Sequence, residues 1–363
     1  MKRKLRKKID IIFDIIFTNF LLHFKITNIK AAFLVLLLIV YSSSLFSQKK
    51  YVFEEAKMGS PFTISIYSND SISASTAASA AFKKADELNS ILSDYVDSSE
   101  INRLSATSGS GDYVKVSFPL FDILQRSLEA AQMSGGAYDI SIGPVVKLWR
   151  SARKTKIFPD KDSIRAALQK TGFRFIHLDI VNHSVWLEKK GMKLDIGGLG
   201  KGFVASYALD VLKQYGFTSA MVNAGGKIIT GDAPPQKEGW LIGINAPGEK
   251  EEILSRLLIL KNFSVATSGD IYQYVEFNGK RYSHIVNPKT GIGLTRRRNV
   301  TAIAQDATTA DWLATACSVL SIKKSMKLIR KIPGAALLIT ESRNGKIHEE
   351  SSSNFKNYLE KHS

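Results

Sequence analysis

A single cysteine, Cys317, among 363 residues rules out an intrachain disulfide and any cysteine metal cluster. It lies in the apolar run Trp312 to Cys317, where it reads as a small buried hydrophobe. No internal repeat and no low-complexity linker interrupts the chain, and its apolar and charged fractions are those of an ordinary globular protein. That length can bury a sizeable core, as one large or two intimate domains. Acidic residues are scarce against basic ones, for a formal net charge of +17. Residues 1–50 hold ten Lys/Arg and two acidic residues, so about half of the excess belongs to the leader. The other basic runs, Arg150–Lys156 and Arg296–Arg298, lack interleaved aromatics and read as solvated faces. Nucleic acid is therefore not the expected partner. An anionic small substrate or a negatively charged membrane surface explains the bias equally well.

The N-terminus carries the order of a secretory signal. The basic stretch Met1–Lys8 comes first, the apolar stretch Ala31–Tyr41 follows Lys30, and small residues end at Ser47-Gln48. The apolar stretch reaches the ~20 residues of a spanning helix only if its serines are counted. Residues 1–47 are expected to be a signal peptide or an uncleaved membrane anchor, with cleavage after Ser47 the favoured reading. No lipobox cysteine is present. The rest, residues 48–363, is expected to be one exported domain on the periplasmic face of the inner membrane.

Hydrophobic periodicity predicts strands at Tyr51–Ala56 and Phe62–Ser68, then a long alanine-rich helix over Ser71–Leu92. Further helices are expected at Leu120–Met133, Asp162–Gln169, Lys201–Tyr215, Thr308–Leu320 and Lys323–Arg330. Arg150–Lys161 reads as a polar connector and Lys193–Ile196 as a short strand. Short strands fill most of residues 220–304, with hairpin turns at Asn278-Gly279 and Asn344-Gly345. Hairpins with helices inserted at intervals predict an α+β fold with mainly antiparallel sheet.

Three segments could carry chemistry. Lys193–Gly202 runs from a strand through glycines into a helix, where backbone amides and Lys201 can meet a phosphate. It lacks the Ser or Thr of a P-loop and the Rossmann spacing, and a glycine turn needed only for packing is the plain alternative. Asp311 and Thr315 share a helical face at i, i+4 and could meet one hard cation. Read alone, they are more simply a helix-start cap and a threonine bonded to its own backbone. His284, in Tyr282–Gly291, could be a general base or a structural histidine. Two more glycine turns, Asn223–Gly226 and Ser134–Asp139, suggest backbone wrapped around a large ligand.

Together these segments resemble the ApbE family, the FAD:protein FMN transferases. The likeness runs from Met58 to Leu320 and rests on Met58-Gly59-Ser60, Ser93-Asp94-Tyr95, Gly135–Asp139, Asp195–Gly202, Asn223–Gly226, Thr267–Asp270, His284–Gly291 and Asp311–Thr315. The resemblance implies the ApbE-like, T-fold-like form of the α+β class. It implies FAD contacts at Met58, Tyr95, Ala137, Tyr138, Asp139, Asp195, Lys201 and Ile285. It also implies Mg²⁺ ligands at Gly198 (through its carbonyl), Asp311 and Thr315, with His284 as candidate base. Tyr138 stands where phenylalanine is common, and Gly198 where alanine or serine often occurs. The implied reaction moves FMN from FAD to a threonine or serine of an acceptor protein, a membrane redox-complex subunit, and releases AMP. An FAD diphosphatase and a non-catalytic envelope flavin-binding protein are the competing readings.

Overall fold

The structure is a computed structural model that describes residues 48–245, 253–269, 274–343 and 346–360. The chain divides into two units, Met1–Lys49 and Lys50–Ser363, and the second carries the features below. The leader, Asp270 and the Asn344-Gly345 turn lie outside the described residues.

The first elements are β1 (Lys49–Lys57), β2 (Ser60–Ser68), α1 (Ser71–Leu92), α2 (Glu100–Ala106), β3 (Val114–Lys115), α3 (Phe118–Ser134), α4 (Gly143–Thr155) and α5 (Lys161–Leu168). The middle holds β4 (Ile176–Asp179), β5 (Ser184–Leu187), α6 (Gly200–Gln214), β6 (Ala220–Ala224), β7 (Lys227–Thr230), β8 (Trp240–Asn245) and β9 (Ile253–Leu260). Then come β10 (Ser264–Gly269), β11 (Tyr274–Phe277), β12 (Lys280–Ser283), β13 (Arg298–Ala304), α7 (Ala307–Val319), α8 (Ile322–Ile329), β14 (Ala336–Arg343) and β15 (Lys346–Ser351).

An eight-stranded sheet in the order β1-β2-β6-β7-β10-β13-β14-β15 forms the frame, and its registered pairs from β2 to β15 are antiparallel. Strand β13 is buried at every position, as expected of a central strand covered on both faces. On one face lie α1, α6 and α7. The small side chains Ala74, Ala77, Ala78, Ala81 and Ala85 of α1 let it approach α6 closely, where Ala205 and Ala208 answer them in the same apolar cluster. On the other face the two-stranded ribbon β8–β9 brings Trp240, Ile242, Leu258 and Leu260 against Val265, Ile303 and Leu338. The α+β architecture with mainly antiparallel sheet is therefore present.

The hairpin predicted at Asn278-Gly279 joins β11 to β12, and both turn residues have positive φ, 48° and 68°. Two expectations need correction. Only Lys156–Asp160 of the expected Arg150–Lys161 connector joins two helices, because Arg150–Thr155 completes α4, whose buried face is Val145, Trp149 and Ala152 at helical spacing. Lys193–Ile196 is not a strand, since only Lys193 pairs, in an isolated bridge to Ile142. The run Arg296–Arg298 is solvated only in part. Arg298 is 5% exposed and forms a buried ion pair with Glu341 at 2.7 Å. Among the described residues no helix is long and apolar enough to cross a membrane.

Candidate active site

Helix α7 supplies the centre of the site. Its N-cap is Asp306, whose side chain accepts the Thr309 amide at 2.9 Å. Asp311 therefore caps nothing and lies in the second turn, 1% exposed. One carboxylate oxygen, Oδ2, accepts the backbone N–H of Gly202 at 3.1 Å. The other, Oδ1, is buried without a hydrogen-bond donor, although the Lys227 ammonium stands 3.4 Å away at ion-pair range. One turn later Thr315 donates its hydroxyl to the carbonyl of Gly198 at 3.2 Å instead of to its own helix, and Ser268 Oγ lies 3.4 Å from it. The fold thus gathers a carboxylate, a hydroxyl and a backbone carbonyl from segments more than a hundred residues apart. An orphaned buried carboxylate oxygen beside two neutral oxygens suits a hard cation such as Mg²⁺. Among the described residues no group of three His, Cys, Asp or Glu could hold a metal alone. A cation here would complete its shell with substrate phosphate and water, as Mg²⁺ commonly does.

The glycine turn explains how α6 and α7 come so close. A Cβ on Gly202 would overlap the Ala307 carbonyl, so the absence of a side chain there is what lets Asp311 reach the first turn of α6. The Gly202 amide is spent on Asp311, so the glycines serve packing as well as approach to a ligand. Gly198 is tight for another reason: a Cβ would come within 3.0 Å of both the Thr315 methyl and the Tyr138 ring.

Lys201 extends from this turn until its ammonium lies over Gly225, 3.1 Å from where a Cβ would sit, and Ser60 is the other neighbour there. Met58, in the β1–β2 turn two residues before Ser60, is partly buried against the main core. It holds a left-handed φ of 50°, an unusual conformation for a side chain of that size. Burial lowers the Lys201 pKa first and the nearby Lys227 charge lowers it further, while Asp311 opposes both. Lys227, 9% exposed in β7, also donates to the Thr267 carbonyl at 2.5 Å. No sequence motif pointed to Lys227. Its signal was the inward alternation of a short strand directly after the Asn223–Gly226 turn.

A second charged cluster flanks the turn. Asp195 accepts the Gly197 amide at 2.8 Å and a guanidinium N–H of Arg150 at 2.8 Å, and Arg150 also pairs with Asp94. The Arg150 guanidinium lies 4.0 Å from the centre of the Tyr95 ring, whose other surface is open to solvent. Burial, and next the Asp94 charge, push the Asp195 carboxyl up to about 6, and Arg150 pulls it back down. Asp139 is turned into the protein. Its oxygens accept the Ser141 amide and hydroxyl at 2.9 and 2.7 Å and the Phe173 amide at 3.0 Å, so it holds this wall in shape. Burial raises its pKa. Ala137 is buried beside it, as is Tyr138, whose hydroxyl is 3.3 Å from Ser127 Oγ.

His284 stands at the bend after β12, partly exposed, and Ile285 beside it is buried with its amide on Ser283 Oγ at 3.1 Å. Trp149 pins the far end of this segment by donating its indole N–H to the Gly291 carbonyl at 2.8 Å. A cleft of about 570 Å³ runs between Gly135–Ala137, Asn287 and the end of α7.

Known proteins are similar to this chain over most of its length. The chain is 36% identical over 262 residues to the FAD:protein FMN transferase of Treponema pallidum (strain Nichols), covering 68% of this chain and 72% of the relative. It is 31% identical over 298 residues to an FAD:protein FMN transferase of Klebsiella pneumoniae (strain 342), covering 81% and 90%. The crystal structure of the ApbE protein of Thermotoga maritima superposes with a TM-score of 0.77 at 29% identity, over 86% of this chain and all of that one. The sequence model of the ApbE family matches residues 58–339, and with these relatives it places the chain in that family.

Proposed function

We propose that this chain is an FAD:protein FMN transferase that cuts FAD at its pyrophosphate and attaches FMN to a threonine or serine hydroxyl of an acceptor protein, releasing AMP. The observation that carries this reading is the convergence of Asp311, Thr315 and the Gly198 carbonyl, with one buried carboxylate oxygen lacking a donor. A Mg²⁺ ion held there would neutralise charge on the pyrophosphate as it is cleaved.

The chain's own residues do the rest. Lys201 and Lys227 bracket the carboxylate and offer fixed positive charge to phosphate oxygens. Asp195 and Tyr95, tied together by Arg150, form one wall for the flavin nucleotide, with Ala137, Tyr138 and Ile285 as apolar surface. The acceptor hydroxyl oxygen attacks the FMN-side phosphorus. The new P–O bond forms as the bond to the AMP phosphate breaks and its electron pair leaves with AMP. His284 is the proposed acceptor of the hydroxyl proton. The basic leader and the apolar stretch Ala31–Tyr41 support export to the periplasmic side, where a membrane redox subunit is the proposed acceptor.

Release of AMP from FAD and Mg²⁺ tests the reading when it is followed with and without an acceptor. AMP that appears only with acceptor, in step with flavin retained on the denatured acceptor, supports transfer. AMP and free FMN in its absence, at the same rate, would make the chain a diphosphatase.

A further inference from the structure

One turn beyond Thr315, Val319 continues the Asp311–Thr315 face of α7 into the cleft bordered by Gly135–Ala137 and Asn287. Four lysines rim that cleft: Lys289, Lys324, Lys327 and Lys331. Lys324 and Lys327 lie one turn apart on α8, and Lys331 follows in the turn just after it, on the rim of the same cleft. All four are exposed, and among the described residues none is paired with a carboxylate.

A lysine stripe on a helix is commonly a solvated face. Here the stripe borders a concavity whose floor includes Val319 and Leu328, and Val319 stands one helical turn from Thr315. Four like charges around one hollow repel one another and are relieved by an anion that enters it. FAD does not meet that need, because its charge resides in the pyrophosphate, where Lys201 and Lys227 already stand, and its flavin and adenosine ends are neutral. A bilayer does not meet it either, since a flat anionic surface engages protruding charges and leaves the floor of a hollow uncovered. An extended polypeptide with acidic side chains satisfies the cations, covers the apolar floor, and can run from Val319 toward Thr315 one turn away on the same helix.

The geometry points to this cleft as the docking groove for the acceptor protein, which binds as a segment carrying Asp or Glu beside the modified Thr or Ser. The inference rests on the transferase reading and deepens it by assigning the chemistry of the acceptor.

The test uses a fluorescein-labelled peptide with one threonine flanked by glutamates, a counterpart with glutamines, and the Lys324→Gln/Lys327→Gln/Lys331→Gln variant. Fluorescence anisotropy should show the glutamate peptide binding about tenfold or more tightly than the glutamine peptide, with affinity falling as salt rises. The variant should lose that preference, keep the wild-type melting profile, and bind FAD within about twofold of wild type. Equal binding of the two peptides, or an unchanged variant, would overturn the assignment. So would a matching loss of FAD affinity, which would make the cleft part of the FAD site. Loss of binding to phosphatidylserine vesicles with peptide binding intact would overturn it in favour of a membrane surface. A wild-type protein that binds the glutamate peptide but never cleaves FAD would refute the transferase reading and leave the groove standing.

Discussion

Replacing Asp311 by asparagine separates a metal ligand from a structural aspartate. Asparagine keeps an oxygen for the Gly202 amide and nearly the same volume, but it removes the negative charge facing Lys227. Opposite charges 3.4 Å apart attract by about 5 kcal/mol at an effective dielectric of ~20, before desolvation is subtracted. Lys227 retains its bond to the Thr267 carbonyl, so the expected net loss of stability without metal is about 1–3 kcal/mol, a melting point lower by several degrees. The metal-linked effect is the more telling quantity. With FAD present, Mg²⁺ at about a hundred times its dissociation constant stabilises the wild type by ~2.7 kcal/mol. A variant binding Mg²⁺ a hundredfold more weakly would gain only ~0.4 kcal/mol at the same concentration. Thermal melts across a Mg²⁺ titration, read beside the rate of AMP release, measure both. Asp311→Asn should show a nearly flat melting response, a steeply raised Mg²⁺ requirement, and FMN transfer cut far more than FAD affinity. Thr315→Val should act in the same direction but more weakly, since a neutral hydroxyl gives a hard dication less than a carboxylate does. A variant whose melting point still climbs with Mg²⁺ like the wild type, and which releases AMP at the wild-type rate, would refute the site.

Lys201→Ala should weaken FAD binding by about ten- to a hundredfold in fluorescence titration, the scale of one charged hydrogen bond, while exposed Arg297→Ala should leave it unchanged. Equal effects would remove Lys201 from the binding wall. His284→Ala should slow FMN transfer by ~10²–10⁴ with FAD affinity preserved, and a loss below about tenfold would assign the histidine a structural part. Asp195 should titrate at about 6 by carboxyl ¹³C NMR against an ordinary value of 3.8. Its folded-state pKa lies above the unfolded one, so its contribution to stability is greatest below about pH 4 and is lost as pH rises from about 4 to about 6. Arg150→Gln should move the midpoint higher still, and a midpoint near 4 in both proteins would contradict the burial argument.

Much of this was legible in the sequence where a local rule governs. The alanine-rich period of Ser71–Leu92 became the long helix α1 at the same bounds, and the Asn278-Gly279 dipeptide became a tight hairpin. The i, i+4 spacing of Asp311 and Thr315 placed both on one face, but spacing alone left a cap as the simpler alternative. The true cap, Asp306, sits five residues earlier and is recognised by its bond to Thr309. Helix α4 escaped notice because its basic end, Arg150–Lys156, dominates the local composition. Its buried positions Val145, Trp149 and Ala152 straddle the boundary that the charge run suggested. Lys227 and Arg150 could not be assigned roles from sequence, because their partners Asp311, Asp94 and Asp195 lie 45 or more residues away and meet them only through the fold. The buried pair of Arg298 with Glu341, across adjacent strands, escaped for the same reason.

Covalent transfer of FMN is read out by peptide mass spectrometry of an acceptor. The acceptor is incubated with the protein, FAD and Mg²⁺, then denatured and digested. The expected result is a threonine- or serine-containing peptide heavier by one esterified FMN, with AMP formed in equal amount and both products sharply reduced in Asp311→Asn at the same Mg²⁺ concentration. An unmodified acceptor alongside AMP and free FMN would contradict it.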